Sequence, residues 1–323
     1  TAPIAAPSPA GWIVPTIGNV RLDRLNPGHV RAVTTAVTDA GRTTTTARAV
    51  HVTLTQMIQA ARAEGHTIAD NVVMVDAPRV ATNDRTAIPL DQIATLIATA
   101  ATTEGGVRFH LALLYPTRQM EILGLTREAL DLDSGILDIS WQLQALPYVT
   151  GRSGPFRIPE GYEARHLTGA WHLVRPKTAS SRRTLSLSPD VAGALRLWQA
   201  EAPANPWGLL FTESRPDRRG NARPMPVDPK SDTAAWKALQ DLAGVRHPSG
   251  RYWHLHEARH GSVTAMRAAG VDEATVMQIA GHTSAAVNRR YDHVSIERQR
   301  AAFEATARAI TAAAPPPDAA AGR

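Results

Sequence analysis

Cysteine is absent from this chain of 323 residues. Its absence excludes disulfide bonds, thiolate nucleophiles and cysteine-ligated zinc, so covalent chemistry must use Ser, Thr, Tyr, Lys, His or a carboxylate. The chain also lacks an apolar run approaching the length of about 18 residues that a membrane helix needs, and it shows no secretory or lipidation signal. These absences favour a cytoplasmic protein that has no membrane partner.

Lysine is scarce and occurs only at positions 177, 230 and 237, so arginine supplies most of the positive charge. The formal net charge is +6, and it is unevenly distributed along the chain. Residues 1–150 hold 11 basic and 13 acidic groups, whereas residues 151–323 hold 24 basic and 16 acidic groups. The second half is therefore expected to face a polyanion such as nucleic acid. An arginine-rich composition explains the charge equally well, so charge alone does not decide the function.

Composition and periodicity divide the chain into five segments. They are, in order, a flexible lead-in (1–15), a small helical domain (16–80), a linker (81–90), a second domain (91–313) and a disordered tail (314–323). In the helical domain, Asn26 and Pro27 form a helix-start signal, and Gly41 ends the first apolar stripe. The linker region is polar, contains proline and has no periodicity, which is typical of a domain boundary.

The second domain is predicted to be mainly α-helical with a small antiparallel β-sheet. The longer helical patterns cover residues 191–201, 232–243, 256–269, 272–280, 285–292 and 295–313. The strand candidates are residues 136–140, 171–174 and 183–187. Helices dominate both domains, so the predicted fold class is mainly α with a small antiparallel sheet.

The densest cluster of reactive side chains lies near the C-terminus. His256 and Arg259 are spaced as H-x-x-R, and Gly281 and His282 follow as a G-H pair about two dozen residues later. Tyr291 comes nine residues after His282. Each of these residues alone has an ordinary structural explanation, but their combination indicates a catalytic site.

Two further motifs precede this cluster. Arg118 and Glu121 lie in the segment TRQMEILGL, and Lys177 lies in PKT shortly before the segment SRRT. In this order, the five motifs resemble the first arginine box, the lysine-bearing β-hairpin, and the H-x-x-R, G-H and tyrosine motifs of the tyrosine recombinase (phage integrase) family. The similarity covers roughly residues 17–313, because the N-terminal helices also resemble the core-binding domain of that family.

The resemblance implies a helical core DNA-binding domain followed by a mixed α/β catalytic domain. It implies a site-specific recombinase that cleaves and rejoins DNA through a 3′-phosphotyrosyl intermediate, integrating or excising a mobile element. The implied partners are double-stranded DNA with attachment-type sites, further copies of the chain in a homotetramer on two DNA sites, and accessory DNA-bending or directionality proteins. It implies no cofactor and no metal, and a location on the nucleoid in a bacterial cytoplasm.

The chemistry of phosphodiester transfer fits these residue types. Tyr291 provides a nucleophile, while Arg118 and Arg259 are planar, permanently charged groups that can each bind two phosphate oxygens. The resemblance implies the remaining roles: a proton acceptor or donor for the tyrosine (His256), a donor to a phosphate oxygen (His282), an acid for the leaving 5′ oxygen (Lys177) and a support that orients Arg118 (Glu121).

Four further arginines are candidates for positioning contacts to DNA phosphates, although a solvated position explains them equally well: Arg182, Arg183, Arg289 and Arg290. The spacing of His254, His256 and His260 leaves a zinc or nickel site as an alternative. Glu257 is the nearby carboxylate, and it points elsewhere on a helix. We therefore predict no metal site.

The sequence departs from the usual family pattern in three places. Glu257 and Ala258 replace the more usual Asp-Leu pair, Thr117 stands where a hydrophobic residue is common, and residues 141–172 form a long insertion. No departure removes a catalytic residue type. Two other functions remain open, namely an accessory DNA-binding protein with a decayed active site and a type IB topoisomerase-like relaxase. Because the sequence begins with Thr, an upstream arm-binding domain also remains open.

Overall fold

The computed structural model of the chain describes residues 8–80, 86–151, 154–158, 160–175, 182–217, 219–281 and 295–315. The chain forms two compact units, Thr1–Asp84 and Arg85–Arg323. Several predicted features lie outside the described residues: Lys177, His282, Arg289, Arg290, Tyr291 and the helix expected at 285–292.

The first unit is helical. Its helices are α1 (Pro9–Ile17), α2 (Pro27–Asp39), α3 (Thr44–Ala63) and α4 (Asp70–Val73). The Asn26 side chain accepts a hydrogen bond from the His29 backbone N–H, which confirms the predicted start of α2. Val33 and Val37 on α2 are buried in one apolar core with Leu54 on α3. Burial of these two helical stripes holds the unit together.

Helix α1 corrects the prediction of a flexible lead-in for the part of it that begins at Pro9, whereas residues 1–7 lie outside the described residues. It begins at Pro9, because proline at the first helical position needs no hydrogen-bond acceptor and already has a helical φ angle. Ile13 and Ile17 lie one turn apart, and both are buried in the core of the first unit. The proline-rich composition concealed this short apolar stripe.

The second unit is also mainly helical. Its helices are α5 (Leu90–Ala101), α6 (Val107–Leu114), α7 (Gln119–Leu123), α8 (Pro189–Glu201), α9 (Pro229–Leu242), α10 (Leu255–Ala268), α11 (Glu273–Ala280) and α12 (Ile296–Ala312). Helix α6 lies at the centre, with Phe109, Leu111 and Leu113 fully buried, and it packs against α5, α8 and α10. Helix α12 joins this core through Phe303, whose ring lies 4.3 Å from that of Tyr115.

Eight short strands accompany these helices among the described residues. They are β1 (Leu130–Asp131), β2 (Ile136–Ile139), β3 (Gln142–Ala145), β4 (Ala164–Thr168), β5 (Trp171–Val174), β6 (Arg183–Ser186), β7 (Thr212–Pro216) and β8 (Ala222–Pro226). They form three antiparallel sheets with the orders β1-β2-β6, β3-β5-β4 and β7-β8. The predicted single sheet was therefore too simple, because the inserted residues build a sheet of their own. The fold class, mainly α with small antiparallel sheets, is as predicted.

Gly124 allows the first arginine segment to approach this second sheet. A Cβ atom at Gly124 would lie 2.6 Å from the backbone nitrogen of Leu143 and 2.9 Å from the carbonyl carbon of Gln142. Side-chain atoms do not tolerate such contacts, so only glycine lets the end of α7 pack directly on β3.

Candidate active site

Arg118 lies at the N-terminus of α7 and is held there by Glu121. The Glu121 carboxylate accepts hydrogen bonds from the Arg118 backbone N–H at 2.8 Å and from Arg118 Nη1 at 2.7 Å. The Arg118 side chain is 42% exposed, whereas that of Glu121 is 1% exposed. A buried carboxylate thus anchors one edge of a guanidinium that still faces solvent. The supporting role predicted for Glu121 fits this geometry.

Arg259 lies on the buried face of α10 and is 2% exposed. Its Nη1 donates to the Pro116 carbonyl, and its Nη2 donates to the Ala280 carbonyl at 2.5 Å. Burial lowers the pKa of the Arg259 guanidinium to about 10, and the positive charges of Arg118 and Arg183 act in the same direction. Arg259 therefore remains charged at neutral pH and lies within electrostatic range of Arg118, although 141 positions separate the two in the sequence.

Arg183 has a different environment from the one expected of a DNA contact. Its side chain is 8% exposed and donates to Glu121 Oε1 at 3.2 Å and to Glu121 Oε2 at 2.9 Å. It also donates to the carbonyls of Ile279 and Pro116 at 3.0 and 3.2 Å. The structure corrects the solvated alternative for Arg183, because its side chain is buried and its guanidinium donates to acceptors of the protein. The neighbouring Arg182 is exposed, and its role as a phosphate contact stays a prediction.

Glu121 is the negative centre of this arginine cluster. Burial acts to raise the pKa of its carboxyl group, but pairing with Arg183 and Arg118 outweighs burial and holds the pKa below its ordinary value. The carboxylate therefore stays ionised at neutral pH. Its single negative charge is shared between two guanidinium groups.

A second carboxylate organises the start of α10. Glu257 accepts the His254 backbone N–H at 2.7 Å and pairs with Arg251 through two bonds of 2.8 and 2.7 Å. The sequence analysis missed this role, although a glutamate three residues after the residue preceding a helix is the spacing of a capping box. Burial opposes ionisation, but the bonds from Arg251 and His254 keep the pKa of Glu257 below its usual range.

His256 and His260 lie one turn apart on α10, with ring centroids 4.6 Å apart in an edge-on arrangement. His256 is exposed and precedes Arg259 by three positions, so the two residues share one side of the helix. Among the described residues, no group of three or more His, Cys, Asp or Glu side chains is placed to hold a metal ion. Because His256 is exposed on the same side of α10 as Arg259, it can contact a ligand that also contacts the arginine cluster.

The end of α11 is fixed by the same arginines. Arg183 Nε binds the Ile279 carbonyl, and Arg259 Nη2 binds the Ala280 carbonyl, so two cations occupy the negative end of the helix. Gly281 then terminates the helix with a left-handed φ of 65°. Gly281 is the first residue of the G-H motif, so the arginine cluster holds the helix end that leads into this motif.

The left-handed conformation of Gly281 gives a stability prediction. Gly281→Ala should lower the free energy of unfolding by about 1 to 2 kcal/mol, because an L-residue is strained at that φ. Gly193 is the matched control, since it lies inside α8 and an added Cβ would meet nothing within 4 Å. Gly193→Ala should raise the free energy of unfolding by about 0.5 to 1 kcal/mol. Urea unfolding measures both, and equal shifts in the two variants would contradict the prediction.

The strand pairing defines the base of the lysine-bearing segment. Strand β2 pairs with β6, and the last pair is Ile139 with Arg183. Strand β3 pairs with β5, and the first pair is Gln142 with Val174. Two residues lie between Ile139 and Gln142, whereas eight lie between Val174 and Arg183. These eight residues include Lys177, which lies outside the described residues.

Two arginine guanidinium groups stack on one aromatic ring just before the lysine-bearing segment. The guanidinium groups of Arg165 and Arg175 lie 4.4 and 4.5 Å from the ring centre of Trp141. Arg175 also pairs with Glu163 at 2.6 Å. Residues of the insertion thus fix the chain up to Arg175, two positions before Lys177.

Comparison with known proteins agrees with this arrangement. The model of the phage integrase family matches residues 87–298, about two thirds of the chain and all the motif positions. The chain belongs to the phage integrase family. The resemblance to tyrosine recombinases is confirmed, and with it the expectation of a site-specific recombinase. The matched range leaves the four helices of the first unit outside.

An integrase from Saccharopolyspora erythraea is 27% identical over 317 residues, covering 87% of this chain and 71% of the relative. The Tn1549 transposon integrase, solved in complex with transposon right end DNA, has a TM-score of 0.63 at 16% identity, covering 92% of this chain and 91% of that chain. A lambda integrase dimer bound to a COC′ core site has a TM-score of 0.55 at 14% identity, covering 89% of each chain. The two solved structures share the fold with this chain.

None of the helices in the described part of this family member is long and apolar enough to cross a membrane.

Proposed function

We propose that this recombinase cleaves DNA through Tyr291, with Arg118 and Arg259 binding the scissile phosphate. The observation that supports this proposal best is the cluster around Glu121 and the Pro116 carbonyl. In this cluster, Arg118 and Arg259 come from distant parts of the sequence and lie within electrostatic range of each other. The Arg118 side chain is 42% exposed. Two adjacent guanidinium groups form a binding site for an oxyanion such as a phosphate.

The proposed reaction conserves one phosphodiester bond at each step. The Tyr291 hydroxyl attacks phosphorus, the bond to the 5′ oxygen breaks, and a 3′-phosphotyrosine and a free 5′ hydroxyl result. Attack by a 5′ hydroxyl from another strand then releases the tyrosine and completes strand exchange. Because the bond energy is stored in the phosphotyrosine, the reaction needs no ATP. The arginines stabilise the transition-state charge, so it needs no metal.

Proton transfer completes the proposal. His256 accepts the tyrosine proton or returns it, His282 donates to a phosphate oxygen, and Lys177 protonates the leaving 5′ oxygen. Exposed His256 on the same side of α10 as Arg259 supports the first role. His282 comes two positions after Ala280 in the sequence, and the Ala280 carbonyl accepts a hydrogen bond from Arg259 Nη2, which supports a place for His282 near the arginine cluster.

The proposed partner is double-stranded DNA at attachment-type sites. The excess of basic groups in residues 151–323 supports this, with Arg182, Arg289 and Arg290 as candidate phosphate contacts. We assign residues 16–80, which lie within the first unit, as the core-binding domain and residues 91–313 as the catalytic domain. Four copies acting on two DNA sites, helped by accessory DNA-bending or directionality proteins on a bacterial nucleoid, would complete the recombination that integrates or excises a mobile element.

The test is incubation of the chain with the DNA that flanks its own gene, followed by denaturing gel analysis. We expect DNA covalently linked to protein, and we expect the same amount in the presence of EDTA. Loss of the adduct in EDTA, with recovery on adding zinc or magnesium, would instead revive the histidine-cluster alternative. A decayed accessory protein would bind the fragment without an adduct. A topoisomerase-like relaxase would form the adduct and relax supercoils but would not resolve a Holliday junction.

A further inference from the structure

Arg183 connects the segments that carry the two phosphate-binding arginines. Each oxygen of the Glu121 carboxylate accepts one bond from Arg183 and one from Arg118: Oε1 from the two Nη1 atoms, and Oε2 from Arg183 Nη2 and the Arg118 backbone N–H. The Pro116 carbonyl likewise accepts from both Arg183 and Arg259. A shift of Arg183 is therefore passed to Arg118 through Glu121, and to Arg259 through Pro116.

This sharing restricts what Arg118 can do. A free carboxylate would bind an arginine through two parallel bonds and take up much of its charge. Here Arg183 already occupies both oxygens of Glu121, so only the Nη1 corner of Arg118 bonds to the carboxylate through its side chain. The rest of the Arg118 guanidinium remains directed toward solvent, where 42% of its side chain is exposed.

We propose that Arg183 is a positioning residue for strand cleavage, which holds Arg118 and Arg259 in their phosphate-binding arrangement by occupying the Glu121 carboxylate and the Pro116 carbonyl. This inference rests on the function proposed above. We infer that Arg183 is not a DNA contact, because its charge is paired with the Glu121 carboxylate and its three guanidinium nitrogens all donate to protein acceptors, whereas Arg259 Nη1 and Nη2 donate to uncharged carbonyls. We therefore expect Arg183 to affect the rate of cleavage and not the affinity for DNA.

The first test replaces Arg183 with Gln and measures cleavage at several pH values. The charged groups that face Glu121 in the described part of the chain are Arg118 on α7, Arg183 on β6 and Arg259 on α10. Removing Arg183 leaves burial less opposed, so Glu121 should take up a proton as the pH falls and lose its charged bond to Arg118. Where Glu121 is protonated, Arg183→Gln should cleave more slowly relative to the wild type than it does at higher pH.

The cleavage rate is measured under single-turnover conditions at pH values between 8 and 6. The substrate is a nicked duplex, taken from the gene-flanking fragment, that contains the position where the adduct forms. The variant that combines Glu121→Gln with Arg183→Gln has no carboxyl group to titrate, so its relative rate should not vary with pH. Arg127→Gln is the matched control, because Arg127 binds the Gln199 and Ala202 carbonyls at the end of α8 as Arg183 binds a carbonyl at the end of α11. It should lose stability without a pH-dependent loss of cleavage.

The second variant, Arg183→Lys, keeps the positive charge but can bond to fewer acceptors at once. We expect a lower cleavage rate at saturating DNA, with the Kd and its salt dependence unchanged in gel-shift titrations. This variant carries the test where Arg183→Gln does not fold. A weaker Kd with an unchanged rate at saturation would identify Arg183 as a DNA contact and overturn the inference.

A cleavage rate at saturating DNA equal to that of the wild type at every pH between 8 and 6, in folded Arg183→Gln, would overturn the inference too. If the wild-type chain forms an adduct and the variants behave otherwise than expected, the positioning role alone fails. If the wild-type chain forms no adduct with the fragment, the proposed function fails, and the positioning role falls with it.

Discussion

Replacing Tyr291 with Phe should abolish the covalent protein–DNA adduct completely, while folding and DNA binding persist. The substitution removes one oxygen atom, and that oxygen is the proposed nucleophile. No other part of the site can replace it, since the arginines only stabilise charge and the chain has no cysteine. Denaturing gel analysis measures the adduct, and a gel-shift titration on the same fragment measures binding.

Two other tyrosines set the control. Tyr115 is fully buried, and burial raises the pKa of its hydroxyl to about 12, so it is a poor nucleophile. Tyr252 is partly exposed, and its hydroxyl lies 3.0 Å from both carboxylate oxygens of Asp241. Tyr252→Phe should therefore form the adduct at the wild-type rate. An adduct that persists in Tyr291→Phe and disappears in Tyr252→Phe would show that the nucleophile is misassigned.

Replacing Lys177 with Ala should slow cleavage of ordinary DNA by a factor of about a hundred or more, the usual contribution of general-acid catalysis. A substrate with sulfur in place of the bridging 5′ oxygen needs no acid, because a thiolate is a far weaker base than an alkoxide. This substrate should restore cleavage to Lys177→Ala. It should not restore cleavage to Arg118→Ala, whose defect concerns charge on the non-bridging oxygens.

The other two lysines serve as matched controls. Lys230 and Lys237 are exposed on α9, and the Lys237 ammonium lies 5.5 Å from the ring centre of Tyr252. Replacing either with Ala should leave cleavage of both substrates unchanged. Equal rescue of Lys177→Ala and Arg118→Ala by the sulfur substrate, or rescue of neither, would contradict the assignment. The acid would then be one of the other two lysines or a histidine.

Much of the fold was accessible from local patterns in the sequence. Val30, Val33 and Val37 predict one buried face of α2, and Asn26 predicts its start, because helix periodicity and capping depend on nearby residues. The same reasoning failed where a short apolar stripe lay within a proline-rich segment, as in α1. It also failed to place residues 171–174 in a sheet separate from β2 and β6, because β5 pairs with β3 and β4 and strand pairing depends on residues outside the local pattern.

The sequence by itself determined the family, the order of the motifs and the residue types available for the chemistry. Two arginines, a lysine, two histidines and a tyrosine in this order and spacing carry the resemblance to the tyrosine recombinases. The family assignment followed from the motifs because they are encoded locally.

Only the tertiary structure decided which of two adjacent arginines is buried. Arg182 and Arg183 are adjacent in the sequence and equally basic, yet the first is exposed and the second is buried against Glu121. Alternate residues of a strand point to opposite faces, and the elements that cover each face come from elsewhere in the chain. The described acceptors of Arg183 lie 62 to 96 positions away in the sequence, so contacts between distant parts of the chain separate a buried arginine from a solvent-facing one.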